Sequence, residues 1–169
     1  MSGISTSARV VHVVLLSIAL GGGLLVNLLL GPDMMAQFQS EQMTAELMST
    51  VTGHLDLFVL VTSPLILLTL IVGYFSLGVP IRARILVSVL VAGLVAVRSQ
   101  WLAPKMITIH QAMGRPLEDV SASDPMKLQY VNLEVAFQWL HWTQLGLILF
   151  LLVFAVTSST PKPKFGIKF

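Results

Sequence analysis

Four apolar stretches, each long enough to cross a lipid bilayer, decide what this chain can fold into. A helix needs about 20 apolar residues to cross about 30 Å of hydrocarbon. The stretches that meet this length are residues 10–30, 55–76, 82–103 and 133–157. Charged residues make up only 11% of the chain, whereas about a quarter is usual for a soluble domain. We therefore predict an all-α integral membrane protein, a four-helix transmembrane bundle forming a single domain over residues 1–169 in contact with membrane lipids.

The first apolar stretch resembles a signal peptide only in its position. Its apolar run exceeds the usual 7–15 residues of a signal peptide, and no A-x-A-like cleavage site follows it. We expect it to remain as an anchor. The absence of cysteine excludes disulfides, Cys-ligated zinc, iron–sulfur clusters and thiol catalysis. A net charge of +2, without clustered basic residues, does not suggest nucleic acid as a partner.

The distribution of charge between the loops predicts the orientation. One side of the membrane receives six basic residues and no acid: Arg9, Arg82, Arg84, Lys162, Lys164 and Lys168. The other side receives four basic residues, Arg98, Lys105, Arg115 and Lys127, and all eight acids. Because cytoplasmic loops carry the excess of Lys and Arg, both termini are expected in the cytoplasm.

The outer loops carry signals for short amphipathic helices. Residues 33–52 have apolar residues at helical spacing. Pro104 and Gly114 stand where a second outer helix would begin and be capped. Asp124 and Pro125 then form an N-cap and a first helical residue, so the fourth helix is expected to begin outside the lipid and to run to about residue 157.

Polar residues inside the spans predict a polar seam, because a polar side chain in lipid needs a partner. Glu134, Gln138 and His141 share one face of the fourth helix at about 100° per residue. The other spans place polar groups at similar depth, namely Asn27, Asp56, Arg98 and Gln100. Arg98 is expected to pair with either Glu134 or Asp56. Two interpretations remain open: the seam holds the helices together, or it binds a ligand or ion.

Histidines raise the possibility of haem or metal. Transmembrane haem is generally held by histidines from two helices, and only His54 and His141 qualify here. His12 has no partner at its depth, and His110 lies in an outer loop. Haem b, or a copper or zinc ion, is therefore an alternative prediction at His54 and His141. No H-E-x-x-H spacing and no nucleophile elbow is present, so we predict that the chain is not an enzyme.

Three segments resemble a known family: RVVHVVLLSIALGGGLL in the first span, LAPKM after the third, and DPMKLQYVNLEVAFQWLH entering the fourth. Together they are similar to the four-span bacterial family of unknown function related to the eukaryotic transmembrane protein 205. The family's aromatic residue followed by Leu-His corresponds to Phe137, Leu140 and His141. Gln144 stands where the family has a small hydroxyl residue, and Leu20 stands where it often has tryptophan.

The resemblance implies a location in the bacterial inner membrane and the same four-span architecture, without implying a reaction. More distantly, the layout resembles small membrane proteins linked to copper resistance and haem biosynthesis. The leading hypothesis is a non-enzymatic structural or interaction component that binds other membrane protein subunits or itself. The alternatives are a haem- or metal-binding redox protein using His54 and His141, and a conduit for small ions or solutes.

Overall fold

The structure, a computed structural model, describes residues 3–26, 28, 41–74 and 81–159. It contains five α-helices within these ranges: α1 (Gly3–Leu25), α2 (Glu41–Tyr74), α3 (Ile81–Val97), α4 (Ala103–Met113) and α5 (Pro125–Ser159). Four helical segments are long and apolar enough to cross a membrane: Gly3–Leu25, Thr50–Tyr74, Ile81–Met113 and Pro125–Ser158. The predicted all-α four-helix architecture is confirmed.

Two predicted outer helices merge with transmembrane spans. The helix predicted over residues 33–52 is not separate, because from Glu41 onward it is continuous with the second span as α2. Residues 33–40 lie outside the described ranges. The third span likewise continues through a π-helical turn, Arg98–Leu102, into α4. The chain therefore lengthens its spans into long helices in place of adding separate short ones.

The predicted cap at Gly114 and the predicted start of the fourth long helix at Asp124 and Pro125 are confirmed. Gly114 caps α4 in a left-handed conformation, with φ of 63°, which glycine adopts without steric cost. The carboxylate of Asp124 accepts a hydrogen bond from the Met126 amide at 2.8 Å, and α5 begins at Pro125. Lys127 Nζ donates to the carbonyls of Leu117 and Val120, both at 2.8 Å, and so ties the intervening loop to α5.

The four long helices form a bundle in which α1 and α3 each pack mainly against α2 and α5. Buried residues of all four meet in a central apolar core: Leu16, Ala19, Val59, Ile66, Val91, Val95, Ile148 and Leu151. A Cβ atom placed on Gly23 would lie 2.5 Å from Leu145 Cδ2, so α1 approaches α5 as closely as a bare glycine permits.

The bundle has two chemically different ends. We call the end where α1 and α3 begin and α2 and α5 finish the basic end, after Arg9, Arg82 and Arg84. We call the opposite end, from which α4 and the first turns of α5 extend, the acidic end. The candidate site lies at the acidic end, and a second polar cluster lies at the basic end.

Candidate functional site

Three buried side chains from three segments meet at the acidic end. Asp56 comes from α2, Arg98 from the π-helical turn and His141 from α5. Arg98 Nε donates to Asp56 Oδ2 at 2.9 Å, Arg98 Nη2 donates to Asp56 Oδ1, and Arg98 Nη1 donates to His141 Nδ1. Arg98 is only 1% exposed. We call Asp56, Arg98 and His141 the Arg98 triad.

The contacts of the Arg98 triad determine its proton arrangement. A guanidinium has no acceptor, so His141 Nδ1 must accept and cannot carry a proton. The His141 ring is therefore neutral, with its proton on Nε2. The opposite charges of Asp56 and Arg98 cancel, and the Phe137 ring lies 5.0 Å from the guanidinium carbon. The Arg98 triad as a whole therefore carries no net charge, although it contains a buried arginine.

Helical periodicity places Arg98 in the interior. The buried positions of the third span recur every three or four residues, at Arg84, Ser88, Val91, Val95, Arg98 and Leu102. Arg98 continues this stripe into the π-helical turn. Turns of this kind are rare and are found frequently at functional sites. The sequence signal for Arg98 is therefore its three- or four-residue spacing from apolar positions such as Val95 and Leu102.

The structure brings together only part of the predicted polar seam. Of the two carboxylates considered for Arg98, its partner is Asp56 and not Glu134. Glu134, Gln138 and Gln100 are exposed, and Asn27 lies outside the described residues. Glu134 shares the His141 face but lies seven residues earlier in α5, about 10 Å farther along the helix. The predicted helix face of Glu134 is therefore correct, but neighbouring helices do not enclose its side chain at that height.

Gln144 lies in the interior, although the predicted polar seam does not include it. It follows His141 by three residues, which is one helical turn, and its side chain is buried. Its carbonyl oxygen Oε1 has no hydrogen-bond partner among the described residues. The sequence signal for the burial of Gln144 is its spacing of three residues from His141, which places both residues on the same helix face.

A second polar cluster lies near the basic end. His12 is buried, and its Nδ1 lies 3.2 Å from the Ile66 carbonyl oxygen and 3.1 Å from Thr69 Oγ1. Tyr74 meets the His12 ring edge-on, with ring centroids 5.7 Å apart, and donates its hydroxyl to the Ala155 carbonyl at 3.1 Å. As expected for haem ligation, no second histidine contacts His12 among the described residues, but its ring does have polar partners. Its partners are a carbonyl and a hydroxyl, which a search for second histidines overlooks.

The predicted haem or metal pair is not assembled. His54 is exposed, and its Nδ1 lies 2.8 Å from the Thr50 carbonyl of its own helix. It is two residues from Asp56, which turns it about 200° away from the Arg98 triad. His141 instead faces the Arg98 cation, which disfavours a metal ion beside it. Within the described ranges, no group of three or more His, Asp or Glu side chains could hold a metal.

Apolar packing separates the two polar clusters. The central core lies between them, with Leu16, Val59 and Ile148 among its members. The space within it amounts to about 10 Å³, which holds at most about one water molecule. This central core therefore has no room for the continuous wet path from His141 to His12 that the predicted conduit requires.

Comparison of the chain with protein-family models, curated proteins and solved structures finds no significant match.

Proposed function

We propose that this chain is a non-enzymatic component of the bacterial inner membrane, with both termini in the cytoplasm, that binds other membrane protein subunits or a second copy of itself. The Arg98 triad supports a structural role for the interior, because its arginine is fully engaged by Asp56 and His141. The resemblance to the family related to transmembrane protein 205 remains part of this proposal.

The observation that carries the proposal is an apolar surface beyond the lipid at the acidic end. Trp101 and Trp139 are strongly exposed there, as tryptophans at a membrane–water interface are. At 1.5 Å per residue, the 35 residues of α5 span about 52 Å, so about 20 Å of helix extends past the hydrocarbon. This part of α5 and α4 together form what we call the outer ridge.

The outer ridge exposes apolar side chains that its own chain leaves uncovered in the described structure. None of the residues of α4 is buried, and Ile107 is 54% exposed. On α5, Leu128 is 52% exposed, and Met126 and Val131 are also exposed. Apolar side chains grouped outside the lipid mark surfaces that bind other proteins. Binding at the outer ridge is the function we infer.

Site-specific photo-cross-linking in living cells tests this function. A photoreactive amino acid at Ile107 or Leu128 of the full chain is expected to give a discrete cross-linked product, either to another membrane protein or to a second copy. The same amino acid at Val153, an exposed position within the fourth span, provides the lipid-facing control.

Charge substitution provides a matched second test. Leu128→Glu is expected to abolish the cross-link formed from position 107, whereas Gln129→Glu, at the adjacent exposed polar position, is expected to preserve it. Cross-links from position 107 to lipid alone, or equal products from positions 107 and 153, would contradict binding at the outer ridge.

A further inference from the structure

The chain buries two arginines, and only one of them has its charge matched. Arg98 uses all three of its guanidinium nitrogens on Asp56 and His141. Arg84, near the start of α3, is 4% exposed, yet it makes one hydrogen bond, from Nη2 to Ser158 Oγ of α5. Its Nε and Nη1 have no acceptor within the described structure. The two residues have the same chemistry and burial, but they differ in their partners.

No acidic side chain near Arg84 can neutralise it. Its guanidinium carbon lies 5.0 Å from the ring centroid of Tyr74 and 5.7 Å from that of Phe154, and aromatic faces attract the cation without accepting its N–H groups as a carboxylate would. Asp56 is 18 residues from Tyr74 along α2, about 27 Å away. The sequences of residues 75–80 and 160–169, FSLGVP and TPKPKFGIKF, contain no Asp or Glu.

The position of Arg84 indicates the chemistry of the missing partner. It lies in the first turn of α3, against the last turns of α2 and α5. Because the candidate spans end at this level, we expect the lipid headgroups to lie beside it. Arg9 adds positive charge at this end. Guanidinium N–H groups pair strongly with phosphate oxygens. We propose that Arg84 anchors a binding site for a phosphate group, carried by an anionic lipid headgroup or by free phosphate.

Native mass spectrometry of the full chain released from nanodiscs tests this site. Discs of phosphatidylcholine alone are compared with discs that also contain phosphatidylglycerol. The wild-type chain is expected to retain phosphatidylglycerol selectively. Arg84→Gln is expected to weaken this retention by at least about tenfold, as the loss of a charged hydrogen bond implies. Arg82→Gln is the matched control: it removes the same charge two residues away, at an exposed position, and is expected to retain the lipid.

A second arm distinguishes the two sources of phosphate. Inorganic phosphate is added to the wild-type chain in phosphatidylcholine discs, and the thermal midpoint is measured. A midpoint raised in wild type but not in Arg84→Gln, without retained phosphatidylglycerol, assigns the site to free phosphate. Retained phosphatidylglycerol without an effect of inorganic phosphate assigns it to the lipid.

The wild-type measurements decide the proposal even if Arg84→Gln fails to fold. A wild-type chain that retains phosphatidylglycerol no better than phosphatidylcholine, and whose midpoint inorganic phosphate leaves unchanged, overturns the site. Equal losses in Arg82→Gln and Arg84→Gln also overturn it, because they indicate a diffuse basic surface. The proposal is also overturned if a protein that co-purifies with the chain is found, by cross-linking, to place a carboxylate next to position 84 in place of phosphate.

Discussion

At the scale of the residue, the energetics of this protein depend on how each buried polar group is matched. Arg98 is stable in the bundle because a carboxylate, an imidazole nitrogen and an aromatic face surround it. Removing one partner of a buried ion pair is strongly destabilising, whereas replacing the pair by apolar residues is often tolerated. The Arg98 triad should therefore respond differently to single and double substitutions.

We expect Asp56→Leu to lower the free energy of unfolding by about 3–5 kcal/mol, because it leaves the Arg98 cation buried without its carboxylate. The double variant Asp56→Leu/Arg98→Met should recover much of this loss. Denaturant unfolding in mixed micelles, followed by circular dichroism, measures both. Glu134→Gln is the control and should change stability by no more than about 0.5 kcal/mol, because Glu134 is exposed. Equal losses in Asp56→Leu and Glu134→Gln would contradict the observed pairing.

At the scale of the element, two local features shape the helices: a close contact between helices at a glycine, and a capping residue at a helix end. The run Gly21-Gly22-Gly23 in α1 contains three glycines, but the contacts differ at each. A Cβ at Gly21 would meet nothing within 4 Å, whereas a Cβ at Gly23 would collide with Leu145 of α5. Of these two positions, only Gly23 limits how closely α1 and α5 approach.

Gly23→Ala should destabilise the bundle by about 1–3 kcal/mol through overpacking, whereas Gly21→Ala should be neutral or slightly stabilising because alanine favours helix. Unfolding in mixed micelles compares the two. In a Leu145→Ala background, the cost of Gly23→Ala should vanish, since the colliding atoms are gone. A cost that persists in that background would show that the contact with Leu145 is not the cause.

The capping contact of α5 makes an independent prediction at the same scale. Asp124→Ala should cost about 1 kcal/mol and speed amide hydrogen exchange in the first turn of α5, because the Met126 amide loses its acceptor. Hydrogen-exchange mass spectrometry of peptides that cover residues 121–132 measures this. Ser123→Ala, at the preceding exposed position, should leave exchange at Met126 unchanged.

At the scale of the whole molecule, two polar ends enclose a dry centre, and the basic end determines the orientation we propose. The absence of cysteine makes topology directly measurable with single introduced thiols. Ser121→Cys, in the loop at the acidic end, should react with a membrane-impermeant maleimide in intact spheroplasts. Gly3→Cys should react only after the membrane is opened. The reverse pattern would place the basic end outside and contradict the orientation.

The sequence by itself determined the number of spans, the all-α class and the helix ends, because these depend on local composition and on capping residues such as Asp124 and Gly114. It also placed Asp56, Arg98 and His141 among the interior polar groups, although it missed Gln144 and Arg84. Only the tertiary structure decided which of them meet. Helical periodicity gives the face of a helix, but the choice of Asp56 over Glu134 depends on the relative height of neighbouring helices. That height depends on how all the helices pack together, which no single helix pattern contains. The unmatched charge of Arg84 was likewise invisible in the sequence, since burial depends on surroundings that several helices supply together.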